Sequence, residues 1–212
     1  MMKETNIDEK ILQYMKFLGF CGIPPSLLLI LISITYGLIN THTSHHAYAI
    51  VLCQESIPVL FAYAVIPVII FLLVEKKPLK DIGLRKNKYR WMDVIDFLLI
   101  ILFMFFLIVK GVFRSNVTIW IFHYLCVAVA EEILVRGIIL YEAEKIFYSS
   151  NISILISSIV FALVFHSVDG VSIANLLYRI PFGIIMAILY KSTGSLCTSV
   201  TIHWIYDAIL SI

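Results

Sequence analysis

Val117-Thr-Ile-Trp-Ile-Phe-His-Tyr-Leu-Cys-Val-Ala-Val-Ala-Glu131-Glu132-Ile-Leu-Val-Arg136-Gly137-Ile-Ile-Leu140 sets three formally charged residues within six positions of a largely apolar run. No aspartate, glutamate, lysine or arginine occurs from Val117 to Ala130, and Ile138 to Leu140 resume the apolar pattern. An ionisable group at membrane depth costs roughly 2.5–3.5 kcal/mol on insertion scales, and a lipid-facing helix does not carry three so close together. Glu131, Glu132 and Arg136 must therefore face a protein interior, find partners there and mark a site.

The rest of the chain fits that setting. Of its 212 residues 61% are hydrophobic and 14% charged, against about 25% charge in a soluble domain. Seven apolar blocks follow one another, near Phe17–Ile39, Ala47–Val74, Trp91–Phe113, Val117–Leu140, Ile152–Phe165, Val171–Tyr190 and Leu196–Ile212. Continuous runs near twenty residues call for helices, whereas a closed barrel alternates apolar and polar residues in short segments. The expected fold is all-α: a polytopic membrane helical bundle of about seven transmembrane helices, with a catalytic cavity within the membrane. Residues 1–116 would form N-terminal transmembrane helices and a basic cytoplasmic loop, and residues 117–212 the core that carries the chemistry. The start, Met1 to Lys16, is mixed in charge and lacks a small-residue cleavage site, so no secretory signal peptide is expected. Cys21, Cys53, Cys126 and Cys197 are scattered without Cys-x-x-Cys spacing and read as small buried hydrophobes.

Orientation follows from the short loops. Between Glu75 and Arg90 stand Lys76, Lys77, Lys80, Arg85, Lys86, Lys88 and Arg90, which marks a cytoplasmic loop. Asn40–His46 and Ser167–Gly170 hold no lysine or arginine. Counting spans from the basic loop puts the N-terminus in the cytoplasm and the C-terminus outside, with Lys110 and Arg114 on the outer side against the rule.

Residues four apart share a helix face and adjacent residues diverge by about 100°. Glu132 and Arg136 are therefore natural partners. Glu131 points to the face of Val127, Ala128 and Val135, where its carboxylate meets another helix and can take and return a proton. Two later blocks carry matching groups: His166 ends the fifth, and His203 and Asp207, four apart, share a face of the seventh. Three spans with inward-capable ionisable groups point to one shared site. Gln54 and Glu55 are weaker candidates for the same cavity, Arg179 is matched with Asp169 or a phosphate headgroup, and His42, His45 and His46 read as a solvated loop.

These residues resemble the CPBP intramembrane proteases, a family that includes CAAX prenyl endopeptidases and bacteriocin-processing and self-immunity (Abi) proteins. Glu131, Glu132 and Arg136 match its Glu-Glu-x-x-x-Arg motif in full. Its Phe-x-x-x-His motif is matched at His166 alone, since Ala162 stands four before it with Phe161 and Phe165 on either side. His203 and Asp207 stand where the third motif has His-x-x-x-Asn. Pro78-Leu-Lys-Asp-Ile-Gly-Leu84 and Leu189-Tyr-Lys-Ser-Thr-Gly-Ser-Leu196 are further echoes. The resemblance implies peptide-bond hydrolysis within the membrane: Glu131 with His166 activating water, His203 and Asp207 stabilising the oxyanion, Glu132 and Arg136 holding the site in shape. Asp207 would act as a protonated donor or as the group that orients His203, because an ionised aspartate only accepts. The expected chemistry is metal-free, with a divalent ion such as zinc as the alternative, although the His-Glu-x-x-His spacing of zinc peptidases is absent. The expected partners are the lipid bilayer and a peptide or membrane-protein substrate, with no nucleic acid, and the expected place is a bacterial cell membrane. Two other functions compete: an immunity or peptide-binding protein that needs no catalysis, and a proton-coupled carrier, which the absence of an inverted repeat disfavours.

Overall fold

The computed structural model describes residues 7–39, 50–112, 117–165 and 172–212. His42, His45, His46, Arg114, His166 and Asp169 lie outside these residues. Among the described residues there are seven helices and no strand. They are α1 (Ile7–Ile39), α2 (Leu52–Glu75), α3 (Arg90–Val109), α4 (Val117–Phe147), α5 (Ser150–Phe165), α6 (Ile173–Thr193) and α7 (Cys197–Leu210). Five are long and apolar enough to cross a membrane, while α5 and α7 are shorter. The protein is thus a multi-pass helical membrane bundle. Its outer surface is greasy, as lipid requires: Phe97, Leu98, Leu102 and Phe105 on α3 and Leu29, Ile30 and Ile34 on α1 are all exposed.

Helix α4 runs through the middle of this bundle. Every residue from Ala130 to Leu140 is buried, so no face of that stretch meets lipid. This is how the fold accommodates Glu131, Glu132 and Arg136. The helix also runs past Leu140 to Phe147, beyond the apolar block, because its polar last turns have partners inside the protein. Lys145 Nζ lies 2.6 Å from Glu75 Oε2 at the end of α2 and 3.2 Å from Glu142 Oε2, and Lys16 on α1 pairs with the other Glu75 oxygen. Lys191 near the end of α6 pairs with Glu144 at 2.6 Å. These pairs bring the start of α1 and the ends of α2, α4 and α6 to one end of the bundle.

The basic loop closes that same end. It forms a short 3-10 turn, Leu79–Ile82, and docks on the turn between α6 and α7. Lys88 N–H donates to the Thr193 carbonyl at 2.7 Å and Leu196 N–H to the Gly83 carbonyl at 3.0 Å. Gly83, at φ 79°, sits against the Tyr190 ring, and an added Cβ would stand 2.3 Å from it. The two stretches noted above as family echoes, 78–84 and 189–196, are therefore two sides of one contact. Below it, Asp96 on α3 accepts from Thr198 on α7 at 2.8 Å and from Asn87 at 3.0 Å.

Wide i→i+5 turns interrupt α2, α4 and α5. In α2 they cover Leu52–Ser56 and Phe61–Val65, each just before a proline, Pro58 and Pro67. A proline ring displaces the carbonyl four residues back, here Gln54 and Tyr63, and the wider turn makes room for it. In α4 the wide turn is Ile133–Ile139, closed by Leu140 N–H to the Val135 carbonyl. It carries Arg136 and brings Gly137 against the basic loop, where an added Cβ would stand 2.9 Å from the Ile82 carbonyl oxygen. Gly137→Ala should destabilise the protein by about 1–3 kcal/mol, because backbone on both sides must move to admit the methyl. Thermal unfolding in detergent measures this, and a wild-type melting temperature would show that the loop contact is soft.

Of the cysteines, Cys21 and Cys126 are buried and Cys53 is half-buried. Cys197 is exposed at the first residue of α7, contrary to the expectation that all four are buried hydrophobes. A helix start has no preceding turn to cover it.

Candidate active site

The ionisable residues of α4 and α7 meet at the middle of the bundle. Glu132 Oε1 lies 3.1 Å from Arg136 Nη1, one turn along the same helix. It also lies 2.9 Å from Nδ1 of His203 on α7. A carboxylate only accepts, so His203 donates from Nδ1 to Glu132. The other ring nitrogen, Nε2, lies 3.3 Å from Asp207 Oδ2 and 3.8 Å from Glu131 Oε2. One imidazole is thus held between a buried structural pair on one side and two further carboxylates on the other.

Packing fixes this geometry. Glu132 and Arg136 are fully buried, and His203 nearly so. The Arg136 guanidinium lies over the Phe161 ring at 4.5 Å, and its Nη2 donates to the Gly183 carbonyl on α6 at 3.4 Å. A cation over an aromatic face is attracted by the ring quadrupole, more so where water is excluded. The His203 ring meets Phe182 and Phe161 edge-on, at centroid distances of 5.2 and 5.9 Å, and Phe182 in turn stacks on Tyr206 at 4.6 Å.

Glu131, His203 and Asp207 face a cavity of about 440 Å³, within the range of small-ligand sites. Phe161, Phe165 and Phe182 make one wall, and Val59 and Tyr63 of α2 another. Three of the six sequence candidates, Glu131, His203 and Asp207, line this space. Glu132 and Arg136 stand behind it, and His166 lies outside the described residues. Arg179 lines the cavity, and Asp169, the partner named for it, is also outside the described residues.

His123 was not singled out in the sequence. It lines the cavity, with Nδ1 3.0 Å from Ser56 Oγ and Nε2 3.6 Å from Glu55 Oε2. Neither Glu55 nor Gln54 lines the cavity: Glu55 touches it only through His123, and Gln54 is buried elsewhere in α2. The signal was in the spacing: His123, Val127 and Glu131, four apart on α4, all face the cavity. Among the described residues no group of three or more histidine, cysteine, aspartate or glutamate side chains is arranged to hold a metal ion. With Nδ1 donating to Glu132, Nε2 of His203 faces the cavity beside Glu131 and Asp207.

Compared with protein-family models, residues 113–209 match the one described as Rce1-like, type II CAAX prenyl endopeptidase. No curated protein and no solved structure matches the chain.

Proposed function

We propose that this protein, whose residues 113–209 match the Rce1-like model of type II CAAX prenyl endopeptidases, is a membrane protease that hydrolyses a peptide bond at the floor of the α4–α7 cavity with a water activated by Glu131. The supporting observation is the convergence of Glu131, His203 and Asp207 at one point, inside a bundle that keeps Glu132 and Arg136 fully buried.

The roles follow from what each group can donate or accept. Glu131 takes a proton from water as its oxygen adds to the substrate carbonyl carbon, a role that the family likeness extends to His166. The carbonyl oxygen becomes an oxyanion and accepts hydrogen bonds from His203 Nε2–H and from Asp207 in its donating form. When the tetrahedral intermediate collapses, the C–N bond breaks and the proton held by Glu131 passes to the leaving amine. Glu132 holds His203 through Nδ1 so that Nε2 faces the reacting atoms, and Arg136 holds Glu132. Tyr63, Phe165 and Phe182 line the space where apolar substrate side chains lie.

Mass spectrometry of the membrane peptidome tests this in cells carrying the wild-type chain or Glu131→Gln. The expected result is one or more peptide fragments made by the wild type and missing from the variant. Identical peptidomes would replace the protease reading with that of a peptide-binding protein.

A further inference from the structure

The two ends of the bundle differ in charge and in access to the site. Every described lysine and arginine except Lys110, Arg136 and Arg179 lies at the end closed by the basic loop. That end holds the Lys16–Glu75–Lys145 cluster, the Lys191–Glu144 pair and the loop itself. Between it and the site lies a sealed layer: Glu132, Leu134, Arg136, Ile138 and Ile139 of α4, with Ala187 of α6, have no exposed surface. Among the described residues these fully buried side chains stand between the basic end and the cavity that Glu131 lines.

Exposure rises in the opposite direction. His203 at the cavity floor is 2% exposed, whereas Tyr178 and Leu210 on its rim are 47% and 69% exposed. The rim residues sit at the far ends of their helices. Tyr178 and Arg179 lie near the start of α6, Phe165 at the end of α5, and Leu210 and Ser211 at the end of α7. Among the described residues the cavity therefore opens at the end away from the positive charge. Loops rich in lysine and arginine stay in the cytoplasm, and the bias is strongest for short loops such as this one.

We propose that the cavity opens on the noncytoplasmic face of the membrane, and that its substrate is a membrane-anchored or translocated peptide whose scissile bond reaches the site from that face. The substrate half of this inference rests on the protease reading above; the sidedness does not. A chain end carried on a cytosolic protein would meet the sealed, basic end. A peptide at the outer surface meets the open rim, with Tyr178, Tyr206 and Leu210 against its apolar side chains and about 10 Å from Leu210 to His203 along α7 at 1.5 Å per residue.

Single cysteines test sidedness without any proteolysis. In a full-length background with Cys21, Cys53, Cys126 and Cys197 replaced by serine, Ser211→Cys puts a thiol on the rim and Lys86→Cys puts one on the basic loop. A membrane-impermeant maleimide added to intact cells should label Ser211→Cys and spare Lys86→Cys, and both should label after permeabilisation. Labelling of Lys86→Cys in intact cells, or protection of Ser211→Cys there, overturns the orientation. The substrate half is read separately, from where the fragments missing in Glu131→Gln map. Fragments from noncytoplasmic segments support it. Fragments from cytoplasmic segments, with the labelling pattern intact, overturn the substrate assignment and leave the orientation standing.

Discussion

Glu132→Gln should leave little folded protein, whereas Glu131→Gln should leave the fold nearly intact and remove the activity. Adjacent carboxylates differ this much because of what each holds. Glu132 Oε1 serves two buried partners at once, Arg136 at 3.1 Å and His203 at 2.9 Å, and all three groups are at most 2% exposed. Glutamine keeps an oxygen for His203 but not the charge, so Arg136 is left as an uncompensated cation without access to water. Breaking one side of a buried pair costs about 3–5 kcal/mol, a large fraction of a typical total stability of about 5–15 kcal/mol. Glu131 stands at the cavity wall, where glutamine has the same shape and can still hydrogen-bond. It cannot take a proton from water. Thermal unfolding in detergent, run beside a cleavage assay, separates the two roles, and equal losses of folded protein from both substitutions would overturn the division.

The local part of this site was legible in the sequence, and the nonlocal part was not. The Glu132–Arg136 pair follows from one-turn spacing, and so does His203 beside Asp207. The hydrogen bond from His203 to Glu132 joins residues 71 apart, and no helical period reports it. Block lengths gave the helix order but misplaced the end of α4. Tyr141 to Phe147 looks too polar to continue a span, yet Lys145 pairs there with both Glu142 on its own helix and Glu75 on α2. The wide turns left a fainter mark. In the Phe-x-x-x-His stretch the phenylalanine stands one position early, at Phe161, and a wide turn, Phe161–Phe165, occupies that place. Such a turn adds one residue to the repeat, which is what an early phenylalanine requires, and Phe161 does line the cavity.

Asp207 decides how the oxyanion is held. Its Oδ2 lies 3.3 Å from His203 Nε2 and its side chain is 22% exposed, so trimming it takes one partner from His203 but leaves the Glu132 hydrogen bond in place, and should cost less stability than loss of Glu132. Asp207→Asn keeps an oxygen for His203 and gains an N–H for the oxyanion. It should retain activity within about tenfold of wild type, since a donor at an oxyanion is worth about 10²–10³ in rate and this variant still has one. Asp207→Ala offers neither and should lose that full factor, about 2.7–4 kcal/mol of transition-state stabilisation. If Asp207 were instead a metal ligand, the neutral amide would bind the ion far less well, and a chelator would silence the wild type reversibly. Cleavage rates of both variants, with and without chelator, separate these cases. An inactive asparagine variant beside a wild type that loses activity to chelator and regains it with added metal would make Asp207 a ligand rather than a donor. An active asparagine variant with no chelator effect fits Asp207 as the oxyanion donor or as the group that orients His203, because in both the amide replaces what the carboxyl group supplies.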